Sequence, residues 1–429
     1  MIKLIKNTFA GLFIKFKNKF NKNNFIKDAS TLTLGTVISQ VISTASTPIL
    51  SRLYSPAEFG VLAVFIAVSN IFATTITLRY DSFVVVPKKD GEASSLVGFV
   101  FALIIFFGLI IGGISFQLPE DIKVIMGVSI LKDWLPIAAL NSMGIALIGV
   151  ATAWLNRKRL YLKIAMLRIL QVLVVLLISI TMGSYNLSNG LLMSQIISNV
   201  IVAAITLIIL SNIFFSLDVK SFYNAAVCHS SAPKFILPTS LLDIVTQQMP
   251  ILLITAWFSS ELAGQFNMAW RVLALPISLV GVAVGQVFIQ NFVEVWPNVM
   301  LAKRLLFNTW KALAAVGVIP TIIIILFGNK LFTLVLGNAW SESGLIAAAI
   351  APMLFAMLIS SPTSSVFLVL GLQKYSLLFG IAFLIYRTSC IYIGLYFSNL
   401  YYGFVAWVVC ELIAIFLYNY IALNKMEGS

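Results

Sequence analysis

Charge is what this chain has least of. Of its 429 residues only 10% are Asp, Glu, Lys or Arg, against 60% that are hydrophobic, where soluble domains carry roughly a quarter charged. With a mean hydropathy of +1.02, no water-soluble core absorbs so much apolar surface, and lipid has to serve as the solvent. Histidine is nearly missing: His229 stands alone in a loop, which excludes histidine metal clusters and histidine-based triads. The three cysteines, Cys228, Cys390 and Cys410, have no paired spacing, so they read as packing residues and predict neither disulfide nor metal. No gap between apolar segments is long enough for a separate soluble domain, and no paired carboxylates or nucleophile-and-base spacing stands out. No enzyme, no catalytic residue and no cofactor is therefore expected.

What the chain does have is apolar runs of spanning length. About twelve fit, near 29–50, 57–78, 94–116, 132–155, 160–182 and 191–214, then 235–257, 264–290, 305–327, 344–370, 375–397 and 401–423, each close to the roughly 20 residues a bilayer crossing needs. The fold class expected is an all-α polytopic membrane protein in two six-helix lobes. The polar loop 216–234 divides the spans six and six, giving a first lobe over 29–215 and a second over 235–429.

The formal charge of +13 suggests nucleic acid until its placement is read. Residues 1–28 hold seven lysines against one acid, Asp28, with Ile2, Ile5, Phe9, Leu12, Phe13, Phe16 and Phe20 on one helical face. That pattern predicts an amphipathic helix lying on an anionic leaflet. With the N-terminus inside, 21 Lys/Arg fall on cytoplasmic segments and 4 outside, the remaining three lying within spans. Both termini are therefore expected in the cytoplasm, and the partners are membrane lipids rather than nucleic acid.

One plan occurs twice. Arg52-Leu53-Tyr54-Ser55-Pro56-Ala57-Glu58-Phe59-Gly60 separates the first two spans, and about 204 residues later Pro250 to Trp257 and Ser259-Ser260-Glu261-Leu262-Ala263-Gly264 repeat the arrangement, with Gly264 opening a long apolar helix as Gly60 does. Membrane chains built of two similar halves place their binding site where the halves meet.

Ionisable residues inside spans are costly in lipid and mark either a paired interior or a wet cavity. Arg168, Arg271 and Arg387 are such residues, with Arg79 and Asp81 closing the second span. Arg387 and Glu411, each near the middle of a neighbouring span, fit a structural ion pair; the other reading has Arg387 lining a cavity and gripping a phosphate through paired donors. Snorkelling or helix-to-helix hydrogen bonds explain Arg168 and Arg271 equally well. Asp243 and Gln247 share a helical face and read as either a cavity wall or a buried network. Asp243 and Glu411 are the residues to which Na+ or H+ coupling would be assigned.

The order of landmarks resembles bacterial polysaccharide flippases, the Wzx-type O-antigen transporters. The first-loop segment Arg52 to Gly60 carries the resemblance, with Arg79-Tyr80-Asp81, Trp154-Leu155-Asn156-Arg157-Lys158, Ala232-Pro233-Lys234-Phe235, and the run from Phe327-Gly328-Asn329-Lys330 to Asn338-Ala339-Trp340. The resemblance implies a fold like that of the multidrug and toxin exporters, two six-helix bundles in a V. It also implies a monomer in the bacterial inner membrane, working with other polysaccharide-assembly membrane proteins on an oligosaccharide carried by undecaprenyl pyrophosphate. A cationic central cavity would bind the headgroup, with Arg271, Arg387, Arg168 and Arg79 of the right type. The alternatives are a cation-coupled multidrug exporter of the same fold, which favours acidic cavity residues, and a flippase for the peptidoglycan lipid precursor.

Overall fold

A computed structural model describes residues 24–214, 222 and 227–427. The amphipathic segment expected over 1–28 lies outside these residues but for its last five, which open the first helix, and most of the 216–234 linker also lies outside them. The described chain is helical throughout, with no strand. Twelve long helices follow in order: α1 Asn24–Ala45, α2 Pro56–Ile76, α3 Asp90–Gln117, α4 Trp134–Arg157, α5 Tyr161–Ser184 and α6 Gly190–Phe214. The second set is α7 Leu237–Trp257, α8 Ser260–Val295, α9 Val299–Leu336, α10 Ser341–Ser360, α11 Gln373–Tyr396 and α12 Leu400–Glu427. Among the described residues, eleven of these helices are long and apolar enough to cross a membrane; α1 is not among those eleven. Its 22 residues include Ser and Thr at many positions besides Gln40, which dilutes the apolar run without shortening it.

Local chemistry sets the breaks. Pro48 lacks an N–H and cannot bond the carbonyl one turn back, and α1 stops at Ala45 before a short helix, Thr47–Leu53, continues it. Pro362 does the same after α10, so the expected single span 344–370 is two helices, Ser341–Ser360 and Thr363–Val369. By contrast Pro276 stays inside an unbroken α8. At the start of α2, Ser55 Oγ accepts from Glu58 N while Glu58 Oε2 accepts from Ser55 N, a reciprocal cap, and Pro56 supplies the first turn.

Helices α1 to α6 pack chiefly on one another, α1 against α5, α3 against α4 and α5 against α6, and α7 to α12 do likewise. The two halves meet mainly where α2 crosses α8 and α7. At that crossing the repeat becomes physical. Gly60 and Gly264, equivalent in the two copies of the plan, sit against each other: a Cβ on Gly60 would lie 1.9 Å from the carbonyl oxygen of Ser260, and one on Gly264 would lie 1.8 Å from that of Pro56. Only glycine at both positions permits the approach. Around it Ser51 Oγ donates to the Leu336 carbonyl at 2.9 Å, Trp340 Nε1 donates to the Ser51 carbonyl at 2.9 Å, and Phe59 meets the Trp340 ring edge-on at 5.1 Å. The halves are thus zipped together at the end where α2 and α8 begin.

Candidate functional site: a cavity between the halves

Below the zipped end lies a cavity of about 850 Å³, walled by α1, α2, α5 and α6 of the first half and by α8 of the second. Its polar lining changes along the helices. Near the crossing, Ser46, Ser179 and Ser194 are buried; farther along, Arg168, Gln171, Asn267 and Arg271 are half-buried; Thr36, Gln40, Ser278 and Gln286 are exposed. The cavity is therefore closed at the start of α2 and α8 and opens toward the end where α8 finishes and α1 begins.

Two arginines project from facing walls onto one helix. Arg271 of α8 donates from Nη2 to the Ser43 carbonyl at 3.0 Å and to Ser43 Oγ at 2.6 Å. This carbonyl stands at the break in α1, where it also gathers Ser46 Oγ at 2.8 Å and Thr47 Oγ1 at 3.2 Å. Arg168 of α5 donates to Thr36 Oγ1. Thr36 and Ser43 are seven residues apart, two turns along one face of α1. Among the described residues neither arginine has a carboxylate within ion-pair distance, and the cavity lining holds no Asp or Glu. A guanidinium in such a site has donors to spare, and an anion that enters meets no competing acid among the described residues.

The other residues singled out in the sequence fall elsewhere. Arg387 is not on the cavity wall. It forms a two-pronged pair with Glu411, Nη2 to Oε1 at 2.8 Å and Nε to Oε2 at 3.2 Å, joining α11 to α12. Tyr386 and Trp407 also donate to Glu411, whose side chain is only 2% exposed, and the Phe383 ring lies 5.2 Å from the guanidinium. The ion-pair alternative describes this geometry; the phosphate-gripping one does not. Arg79 stands just past α2 in a left-handed backbone conformation, φ 61°, with Asp81 at 3.6 Å, and it too is off the cavity lining. Asp243 and Gln247 are exposed on α7 and share its face, yet neither lines the cavity.

The uncharged half of the site carries no ionisable residue to mark it in the sequence. Thr36, Gln40 and Ser43 recur at one-turn spacing on α1, and Arg168 and Gln171 on α5. Hydrogen-bonding side chains recurring at helical spacing inside apolar segments are the available signal.

A family model described as "Polysaccharide biosynthesis protein" matches residues 49–345. The chain belongs to that family. No curated protein matches the sequence. Among solved structures, this polysaccharide-biosynthesis family member is similar to the lipid II flippase MurJ in an inward closed conformation, with a TM-score of 0.70, 14% identity, and 92% of this chain and 87% of that chain covered. It is also similar to an inward-facing multidrug resistance MATE transporter of the MOP superfamily, TM-score 0.62, 14% identity, covering 93% and 96%. A MOP superfamily transporter from Pyrococcus furiosus, described as having a binding pocket of reverse polarity, gives 0.63 at 15% identity over 94% and 96%. At these identities the likeness is one of fold: the expected MATE-like helical architecture is present.

Proposed function

We propose that this protein moves an oligosaccharide linked to undecaprenyl pyrophosphate from the inner to the outer leaflet of the bacterial cytoplasmic membrane by alternating access. The observation that carries the reading is the pair Arg168 and Arg271, one from each half, in an acid-free cavity between the halves. Pyrophosphate and sugars do not cross about 30 Å of hydrocarbon unaided. A polar cavity holds the headgroup while the prenyl chain stays in lipid, and separation of the zipped end reverses the exposed side.

Direction follows from charge. The cavity opens toward the end bearing α1's start and α8's finish, and the basic tally assigns that end to the cytoplasm. The lipid is carried unchanged, so no enzymatic step is required, and a monomer suffices. Glu411 is already held by Arg387, which leaves Asp243 as the carboxylate for Na+ or H+ coupling. A multidrug exporter of organic cations is disfavoured by the acid-free lining; a peptidoglycan-precursor flippase shares the pyrophosphate chemistry and is separated by the test.

That test measures binding of undecaprenyl pyrophosphate lipids to purified protein in nanodiscs, with surface polysaccharide and survival of a peptidoglycan-flippase depletion strain scored in parallel. Arg168→Gln and Arg271→Gln are each expected to weaken binding roughly 10- to 150-fold, the worth of a charge-assisted hydrogen-bonded contact. Full binding and normal polysaccharide in both variants overturns the reading. Rescue of the depletion strain without any effect on polysaccharide assigns the peptidoglycan precursor instead.

A further inference from the structure

A chain of side-chain hydrogen bonds runs from the core of the first half to the cavity wall. It starts at Ser69 of α2, whose hydroxyl donates to the Ala138 carbonyl of α4 at 3.3 Å. Asn141 Nδ2 donates to Ser69 Oγ at 3.1 Å, Asn199 Nδ2 of α6 donates to Asn141 Oδ1 at 2.8 Å, and Gln171 Nε2 of α5 donates to Asn199 Oδ1 at 2.7 Å. Ser69, Asn141 and Asn199 are buried; Gln171 lines the cavity.

The chain has a direction, and the buried end sets it. A carbonyl only accepts, so Ser69 donates to Ala138 and its oxygen must take a donor from Asn141. Asn141 then turns its oxygen to Asn199, and Asn199 turns its oxygen to Gln171. Gln171 is left with its amide nitrogen pinned inward. Its Oε1 accepts from no described residue, and its second N–H is also unspent. A network that served only to stitch four helices together would close within the core. This one delivers an oriented amide to the cavity wall, one helical turn from Arg168, where residues three apart are neighbours.

We infer that Gln171 determines specificity for the sugar next to the pyrophosphate, its Oε1 accepting from a hydroxyl or acetamido N–H while Arg168 holds phosphate. Ser69, Asn141 and Asn199 are positioning residues that fix which end of the amide faces the ligand. This rests on the functional reading above and names a sugar subsite within it. Amide orientation worth fixing through three partners discriminates well, because a ligand lacking the matching donor leaves a desolvated oxygen unpaired.

The experiment compares two probes on the full-length protein: undecaprenyl pyrophosphate bearing one N-acetylhexosamine, and bare undecaprenyl pyrophosphate. Gln171→Leu, close in shape, is expected to weaken the sugar-bearing lipid roughly three- to tenfold more than the bare lipid, the worth of one neutral hydrogen bond. Ser69→Ala, remote from the cavity, frees the amide to flip and is expected to give a smaller loss on the same probe alone. Thermal unfolding and bare-lipid binding of each variant report whether the fold is intact. Equal weakening of both probes, or of neither, by Gln171→Leu overturns the inference while leaving the flippase reading standing. Wild-type protein that binds neither probe more tightly than undecaprenol overturns the functional reading, and this inference with it.

Discussion

The most direct perturbation of the zipped end is a single methyl group. In Gly264→Ala the new Cβ falls 1.8 Å from the Pro56 carbonyl oxygen, where a comfortable carbon–oxygen contact is about 3.3 Å. The two backbones therefore have to part by ~1.5 Å. The obstructing atom is main chain and lies in the first turn of α2, held by the Ser55–Glu58 cap, so it does not swing aside as a side-chain end would. Parting also stretches Ser51–Leu336 and Trp340–Ser51, both 2.9 Å. Overpacking of this kind costs about 1–3 kcal/mol, and rigid backbone on both sides places it near the upper figure. A penalty of about 3 kcal/mol applied only to the zipped state shifts the balance toward the separated state by roughly 150-fold. The assay is pulsed electron paramagnetic resonance between nitroxides at Ser188→Cys and Ser398→Cys, both exposed in loops on the two halves at that end, with Cys228, Cys390 and Cys410 replaced. Gly264→Ala is expected to move the distance distribution to longer values and to slow transport. An unchanged distribution refutes the argument that glycine at this crossing holds the halves shut.

Three smaller tests address other contacts. Trp340→Phe keeps an aromatic ring, though a smaller one, and removes the donor to the Ser51 carbonyl, so the same labels are expected to shift in the same direction by at least about 1 kcal/mol; no shift removes that bond from the closing set. Glu411→Gln leaves Arg387 buried without its counter-charge and is expected to lower unfolding stability by roughly 3–5 kcal/mol, whereas the pair Arg387→Met with Glu411→Leu restores only part of it, since Tyr386 and Trp407 still lack their acceptor. If Glu411→Gln unfolds like wild type in detergent melts, the pair is not structural. Ser55→Ala is expected to cost about 1 kcal/mol, seen as faster amide hydrogen exchange over 57–59 alone.

Much of the architecture can be read from the residues. Apolar runs locate the long helices, and Pro48 and Pro362 sit at real breaks, because a missing N–H acts locally. Matching depth in neighbouring spans pairs Arg387 with Glu411, as the structure does. The cavity is harder. Arg168 and Arg271 stand out by their cost in lipid, but that they converge on Thr36 and Ser43 depends on how α5 and α8 pack against α1, which no spacing within either helix encodes. Asp243 and Gln247 share a face as expected; which space that face borders is a tertiary fact. The Gly60–Gly264 equivalence is visible as a repeat, while their contact requires the two halves to be brought together.

The polar character of α1 has a consequence for how the protein is made. In α1 the residues Thr36, Gln40 and Ser43 that serve the cavity interrupt the apolar run and weaken its partition into hydrocarbon. Its residence in the bilayer is secured only when α5, some 130 residues later, and then α8 arrive to cover that face. Truncated chains ending before α8 should therefore expose α1 to membrane quality control.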